Sequence, residues 1–280
     1  MSIDLHCHTR MSDGSLGIEE LIVVAKRRGV TALAVTDHDT TASSTRALLL
    51  GKRYEINVLH GIEITTWDTP RHRAASLLCY LCEVPDRLEG VLRDCVENRR
   101  KAMAETIKRI LRYFPITPEI IARCATGSFG TYKVHIMQAL METGYTDSIY
   151  GELYDKLFGT PEKFPSEQPV FPDTRIMLDR IHEAGGVAVL AYPTEGDGAL
   201  MEELTARKLD GIEVYTPEHD EKTTAALLEY AAENKLIATG GTNFHGMYSK
   251  QPVTVGSVLI PETVLGELKA AKDKRLKGKD

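Results

Sequence analysis

The chain has 280 residues and a formal net charge of −6, so it is long enough to bury one large core, or one core with an inserted subdomain. The acidic balance argues against a nucleic-acid coat protein, and no stretch approaches the roughly eighteen unbroken apolar residues of a membrane span. Because the start also lacks a basic segment followed by an apolar one, we expect a cytoplasmic protein with no membrane partner.

Short apolar runs alternate with amphipathic segments along most of the chain. The runs are typical of strands and the segments of helices, and their alternation indicates parallel strands joined by crossover helices. We expect the polar residues 66–73 to form a loop. The predicted strands lie at residues 3–6, 32–36, 56–61, 75–82, 187–191, 211–214 and 236–239.

The character of the sequence changes between residues 85 and 172, where long helical patterns occur without a strand signal. We interpret this segment as a helical insertion that serves as a lid or substrate subdomain. Residues 1–84 and 173–280 would then form one α/β barrel, because about seven strands with crossover helices close most naturally in that way. The active site of such a barrel gathers at the carboxyl ends of its strands.

Clusters of polar residues follow four of the predicted strands. His6 and His8 are two positions apart, so on a strand their side chains point to the same side and can bind one ion, while Cys7 points away. Strand ends meet at one end of a barrel, so these clusters predict a metal-dependent enzyme. The other clusters lie at residues 36–39, 61–63 and 243–245.

The candidate ligands form a mixed set of imidazole nitrogens and carboxylate oxygens, which suits Zn, Mn or Fe. Thiolates are not needed. The five cysteines follow no regular framework, so we expect free thiols, with Cys79 and Cys82 buried in an apolar run. The candidate ligands besides His6 and His8 are Asp13, His38, Glu63 and His245.

Five short motifs together resemble the PHP family, the polymerase and histidinol phosphatase domain. Their order and separations are also similar to those of its free-standing phosphoesterase branch. The resemblance implies a distorted (β/α)7 barrel with a helical insertion, up to three divalent ions, and hydrolysis of phosphate esters by a hydroxide that the ions activate. The motifs are residues 4–9, 12–14, 36–39, 61–64 and 243–246.

The same resemblance implies a role for each matching residue. Glu63 would also reach toward a third ion in complete members, and His38, Glu63 and His245 are the expected catalytic residues. The implied ligands are His6, His8 and Glu63 for one ion, with Asn243 as a further ligand, and Asp13, His38 and His245 for another.

Three positions depart from the family pattern. Ser76 and Tyr192 stand where the branch usually has histidines that serve one ion, and Asn243 stands where an aspartate is usual. Their joint change predicts that one metal site is absent or remade, which leaves two ions, or three if the site is remade. An amide in place of a carboxylate also weakens the first site, because a negative charge is lost.

Further residues are candidates for contact with substrate. Lys133 and His135 begin a segment that resembles the part of the branch that reaches over the active site, where they could clamp a phosphate. Asp37 and Asp39 are expected to orient His38 or to cap the following helix. The other substrate-binding candidates are Arg10, Tyr192 and His219.

The sequence therefore predicts a metal-dependent phosphoesterase that acts on a small phosphorylated metabolite. A nucleotide-type phosphomonoester, a bisphosphate or a cyclic phosphate is the expected substrate, and the mildly acidic chain argues against long nucleic acid. Two alternatives stay open at this point. One is a 5′–3′ exoribonuclease or oligonucleotide hydrolase, and the other is a degenerate domain that binds metal or nucleotide without turnover.

Overall fold

The computed structural model describes residues 2–159 and 169–277, and the part of the predicted insertion at residues 160–168 lies outside them. Within the described residues, seven strands form one sheet in the order of the chain, as predicted. The strands are β1 Ser2–Cys7, β2 Val30–Val35, β3 Asn57–Asp68, β4 Arg73–Tyr80, β5 Val187–Leu190, β6 Gly211–Tyr215 and β7 Ile237–Gly240.

The segment of helical patterns at residues 85–172 contains long helices, but its residues 149–158 form only a single α-turn followed by a π-turn over Asp155–Gly159. The α-helices are α1 Ile18–Arg27, α2 Ala42–Tyr54, α3 Asp86–Tyr113, α4 Pro118–Cys124, α5 Lys133–Glu142, α6 Glu152–Tyr154, α7 Thr174–Glu183, α8 Gly198–Ala206, α9 Glu221–Asn234 and α10 Thr263–Lys277.

The fourth strand breaks the parallel pattern. β4 runs antiparallel to both β3 and β5, while the remaining neighbours are parallel. The expected loop at residues 66–73 was wrong for its first part, because β3 continues to Asp68 and pairs with the start of β4 in a long hairpin. The extension is stabilised from outside the hairpin, since Trp67 N donates to Pro172 O at 2.9 Å.

The strands enclose an apolar interior that identifies the sheet as a distorted barrel. Buried side chains from β1 to β5 and from β7 pack in one cluster, and residues of α10 such as Leu268 complete it. Tyr80 is fully buried there and donates its hydroxyl to Leu5 O at 2.8 Å. The barrel closes next to the first strand, where His8 N donates to Phe244 O at 2.8 Å.

The described residues between β4 and α7 are helical or irregular, and they pack on the barrel through the long helix α3. Its beginning lies near the start of β5, where Val84 N donates to Ala184 O at 3.0 Å. Further along, Arg99 Nη2 donates to Asp39 Oδ2 at 2.5 Å, beside the end of β2. α3 therefore reaches the strand ends that carry the polar clusters. The division of the chain at residues 85 and 172 stays a prediction.

In the described part of the chain, no helix has the length and apolar character that crossing a bilayer requires. The five cysteines are free, as expected, and four of them are buried.

The side chain of His60 in β3 predicts a pH effect on stability. Both ring nitrogens are buried without a hydrogen-bond partner among the described residues, and burial, followed by the charge of Lys272, lowers the pKa of His60 below 6.5. The unfolded chain therefore takes up a proton before the folded chain does, so the free energy of unfolding falls as the pH drops below about 6.5.

We expect His60→Gln to remove up to about 1.4 kcal/mol per pH unit of this loss, the maximum for one proton. Urea unfolding of both proteins between pH 7.5 and 5.0, with a chelator present, measures the effect. Equal pH slopes for the two proteins would contradict it.

Candidate metal centre

Seven candidate ligands lie at the end of the barrel where β1, β2 and β7 finish. His6 belongs to β1 and His8 follows it, while Glu63 lies on the part of β3 that extends beyond β2. The remaining candidates stand on loops, namely Asp13 after β1, His38 after β2, and Asn243 and His245 after β7. The clusters that are far apart in the sequence therefore meet at one place, as predicted.

The first donor cluster consists of His6, His8 and Glu63. The Nε2 atoms of the two histidines are 3.1 Å apart, and each lies 3.0 Å from Glu63 Oε2. The three side chains are at most 1 % exposed. Two ligand atoms on one tetrahedral zinc ion lie roughly 3.3 Å apart, so this triangle is close to the size that a single divalent ion requires.

The second donor cluster consists of His8, Asp13, His38 and His245. His245 Nε2 lies 3.2 Å from Asp13 Oδ1, and His38 Nε2 lies 3.6 Å from Asp13 Oδ2. His8 takes part in both clusters, because its Nδ1 is 3.6 Å from Asp13 Oδ1. Glu63 Oε2 also lies 3.6 Å from His38 Nδ1, so the two clusters adjoin.

Two orphaned atoms fit a metal at this place. His38 Nδ1 and Asn243 Oδ1 are buried and have no hydrogen-bond partner among the described residues. A buried polar atom without a partner is costly, and a cation bound by these atoms would remove that cost. The donor set of imidazole, carboxylate and amide oxygen is also the one that Zn, Mn and Fe accept.

The protonation states of His8, Glu63 and Asp13 favour their ligand forms, whereas neighbouring carboxylates outweigh burial and raise the pKa of His6 and His245. Burial, together with repulsion from His245, lowers the pKa of His8 to about 3, so its ring is neutral at pH 7. Burial alone would raise the pKa of Glu63, but the charges of His38 and His6 outweigh it and hold that pKa well below its usual value. Burial alone would also raise the pKa of Asp13, but nearby histidines, with His245 the strongest, hold that pKa well below its usual value. Neutral imidazole and ionised carboxylate are the forms that bind metals.

Buried aspartates fix the loops that carry the candidate ligands. Asp37 accepts hydrogen bonds from Thr9 N at 2.7 Å and from Ser12 Oγ at 2.6 Å, on the two sides of the loop between His8 and Asp13. Asp4 accepts from Thr242 N at 2.9 Å and so holds the loop before Asn243. Each carboxylate thereby restrains a segment of chain that a neighbouring strand supplies.

Asp39 also restrains neighbouring segments of the chain through hydrogen bonds. It accepts from Thr65 N at 2.8 Å and from Arg99, so it joins the loop after β2 to β3 and to α3. Asp37 and Asp39 were expected to orient His38 or to cap α2. These hydrogen bonds go to neighbouring strands, loops and α3, and the N-cap residue of α2, Thr41, makes no side-chain cap hydrogen bond.

Glu213 on β6 is a residue of the centre that the sequence did not reveal. Its Oε1 lies 3.0 Å and its Oε2 3.1 Å from His6 Nδ1, on the side of the ring opposite Glu63. A carboxylate on the second nitrogen of a metal-binding histidine fixes the tautomer and raises the basicity of the ring. The one available signal was a buried charge within an apolar strand, since Ile212 and Val214 flank Glu213.

Tyr192 and Ser76, two of the departures from the family pattern, lie against the centre. The Tyr192 hydroxyl donates to Glu63 Oε1 at 2.8 Å and lies 3.3 Å from Ser76 Oγ. Burial, followed by the charge of Glu63, raises the pKa of Tyr192 well above its usual value, so the phenol keeps its proton. Tyr192 was expected to bind substrate, and in the structure its hydroxyl is engaged by a candidate ligand.

A cavity of about 280 Å³ opens beside Asp13 and His38. Lys133 lines it and has no ion-pair partner among the described residues, and its ammonium lies 5.4 Å from the ring centroid of Phe158. Arg99 lines the same cavity, with its guanidinium 4.7 Å from the ring centroid of Tyr132. Cations and aromatic rings therefore stand next to the donor clusters.

Arg10 and His135 line a different cavity, of about 330 Å³. Arg10 Nη2 donates to Ser15 O at 3.0 Å. His135 is buried, and its Nδ1 accepts from Tyr132 N at 3.2 Å. His219 donates to Val214 O at 2.8 Å. Substrate contact by these three residues stays a prediction.

Comparison with known proteins assigns the chain to a family. The profile of the PHP domain matches residues 4–93. The phosphoribosyl 1,2-cyclic phosphate 1,2-diphosphodiesterase of Eggerthella lenta is 33 % identical over 252 residues, which are 89 % of this chain and 96 % of that protein. The chain belongs to the PHP family. It is therefore a metal-dependent hydrolase of phosphoric esters, as the sequence predicted.

Two further comparisons describe other members. A 5′–3′ exoribonuclease of Haemophilus influenzae is 26 % identical over 250 residues, with 86 % of this chain and 89 % of that protein covered. The crystal structure of a Bifidobacterium adolescentis protein assigned as a metal-dependent phosphoesterase superposes with a TM-score of 0.87 at 24 % identity, and covers 96 % of both chains. The latter similarity confirms the fold.

The position of Glu213 predicts its effect on metal binding. Glu213→Gln keeps a hydrogen-bonding group near His6 but removes the charge that makes the ring a stronger ligand. Loss of such an outer partner commonly weakens a site ten- to a hundredfold, and we expect a Kd for Mn²⁺ that is higher by that factor. Chelator competition measures it, with the exposed Glu229→Gln as the matched control. An unchanged Kd in Glu213→Gln would contradict the role.

Proposed function

We propose that the protein holds two divalent ions in the two donor clusters and hydrolyses a small phosphorylated metabolite beside them. The observation that carries this proposal is that the two clusters adjoin and that the second reaches, through Asp13 and His38, the cavity that Lys133 and Arg99 line. Zn, Mn and Fe all suit the donor set. A nucleotide-type phosphomonoester, a bisphosphate or a cyclic phosphate is the proposed substrate.

The seven candidate ligands divide between the ions as the family resemblance implies. His6, His8 and Glu63 would hold the first, with the amide oxygen of Asn243 as a further ligand. Asp13, His38 and His245 would hold the second. The two carboxylates Asp13 and Glu63 contribute two negative charges against the four positive charges of two divalent ions, and the positive surplus favours an anionic phosphate.

When bound, a pair of divalent ions makes a water molecule acidic enough to supply hydroxide at neutral pH and neutralises charge on the phosphoryl oxygens. The protein contributes binding and orientation. Lys133 and Arg99 would bind the anionic part of the substrate that is not attacked, because both cations face the cavity. Tyr132, whose ring is stacked on His38 with centroids 5.8 Å apart, would hold an apolar or aromatic part of the substrate against the centre.

The size of the cavity favours a small substrate. Ligand pockets commonly measure roughly 300–1,000 Å³, and this one, at about 280 Å³, lies at the lower limit. Four aromatic side chains in its wall could stack on a base, which is compatible with a nucleoside and also with the terminal nucleotide of an RNA. Hydrolysis of oligonucleotides is therefore the second candidate, and the comparison with the Haemophilus influenzae exoribonuclease supports it. The four are Tyr132, Tyr150, Tyr154 and Phe171.

A panel of substrates tests the proposal with the Mn²⁺-loaded protein. We expect release of phosphate from a nucleoside monophosphate or a nucleoside 3′,5′-bisphosphate, or opening of a ribosyl cyclic phosphate to its monoester, with a kcat/KM above that for a 5′-phosphorylated oligonucleotide. His38→Ala should lower kcat at least a hundredfold, because a ligand of the second ion is lost. No hydrolysis of any small substrate would refute the proposed function, and preference for the oligonucleotide would favour the second candidate.

Lys133 tests where the substrate binds. Lys133→Met keeps the length of the side chain but removes its charge, and a hydrogen bond to a charged group contributes about 1.5–3 kcal/mol. We expect KM to rise roughly ten- to a hundredfold while kcat changes less. Lys101→Met, on the exposed side of α3, is the matched control. Equal KM values for wild type and Lys133→Met would show that the substrate does not use this cavity.

A further inference from the structure

The loop after β5 contacts both carboxylates that flank His6. Tyr192 donates through its hydroxyl to Glu63 Oε1 at 2.8 Å and through its backbone N–H to Glu213 Oε2 at 3.1 Å. Its ring is stacked on that of His6, with centroids 5.9 Å apart and planes 22° apart. A single residue thus contacts His6 and the two groups bonded to it.

The backbone at Tyr192 is held in an unusual conformation. Its φ is +30°, in the region that L side chains rarely adopt. Such a conformation persists only where the surrounding contacts require it. The two hydrogen bonds and the ring stacking on His6 are contacts of this kind. The strained backbone therefore indicates that these contacts hold the phenol in a defined position.

The two oxygens of Glu63 have different surroundings. Oε2 faces His6, His8 and His38 at 3.0, 3.0 and 3.6 Å. Oε1 faces hydroxyls, first that of Tyr192 and, through it, that of Ser76. Within the described residues, the groups of His, Cys, Asp and Glu that could hold an ion form only the two clusters on the Oε2 side.

We propose that Tyr192 is a positioning residue that occupies the place of a cation at Glu63 Oε1, so that the centre holds two ions and Glu63 binds metal through Oε2 alone. The O–H dipole offers partial positive charge where a further ion would otherwise satisfy the outer oxygen. Ser76 Oγ lies 3.3 Å from the same hydroxyl. The arrangement fixes the carboxylate plane without an additional metal, and this inference rests on the metal centre of the proposed function.

The first experiment measures ion content and affinity. The wild-type protein, saturated with Mn²⁺ and freed of excess metal, should contain two ions per chain by elemental analysis. Tyr192→Phe keeps the ring but frees Glu63 Oε1, so we expect the Kd for Mn²⁺ to rise ten- to a hundredfold with two ions at saturation. Tyr230→Phe is the matched control, because its hydroxyl lies 3.1 Å from Thr205 Oγ1 on distant helices and its loss should leave the Kd unchanged.

The second experiment replaces both hydroxyls by metal ligands. The double variant Ser76→His with Tyr192→His should bind three ions per chain at the same Mn²⁺ concentration, and Ser76→Ala should bind two. Three ions in the wild type would overturn the inference, as would a Tyr192→Phe variant that loses thermal stability at an unchanged Kd. If the double variant does not fold, the affinity of Tyr192→Phe still decides.

The two proposals fail separately. A wild-type protein that hydrolyses the small phosphate esters but contains three ions refutes the role of Tyr192 and leaves the function intact. A protein with two ions that hydrolyses no small ester of the panel refutes the function and leaves the role of Tyr192 intact.

Discussion

Three atoms that carry lone pairs meet in the closed interior at the end of the barrel: Glu63 Oε2 and the Nε2 atoms of His6 and His8, each about 3 Å from the other two. No bulk water reaches them, since the three side chains are at most 1 % exposed. Such an arrangement is unfavourable unless a proton or a cation lies between the atoms. Most of what surrounds this triangle serves to hold it together.

The triangle is held together by buried carboxylates that accept hydrogen bonds from the backbone and are not candidate metal ligands. Asp4, Asp37 and Asp39 each accept hydrogen bonds from a segment that belongs to another strand or loop. A carboxylate with several donors is tolerated in the interior, because each charge-assisted hydrogen bond offsets part of its desolvation. The ligand loops are thereby fixed relative to one another before any ion binds, which reduces the cost of assembling the centre.

The sequence was sufficient to predict the seven strands and the convergence of the ligands, because apolar runs and the polar clusters that follow them are local features. It failed where partners are distant along the chain. Glu213 lies 207 residues from His6, so nothing in its own surroundings indicates the contact. Arg99 looks like any cation of an amphipathic helix. The extension of β3 through Trp67 depends on Pro172, which only the folded chain brings near.

The departures from the family pattern illustrate a related limit. Ser76 and Tyr192 were interpreted by what they lack, since a sequence shows that an imidazole is missing but not what fills its space. In the structure a phenol and a hydroxymethyl group lie together against Glu63. The replacement depends on how β4 and the loop after β5 pack together, and neither residue alone predicts it.

The reversed direction of β4 determines where the following segment of the chain can go. A strand parallel to its neighbours would end at the same end of the barrel as the candidate ligands. β4 instead finishes beside the first residue of β5, at the opposite end. The 28 residues of α3, about 42 Å long at 1.5 Å per residue, span the height of the barrel on the way back. The inverted strand thus places the start of α3 at one end of the barrel, and the length of α3 brings Arg99 to Asp39 beside the candidate ligands.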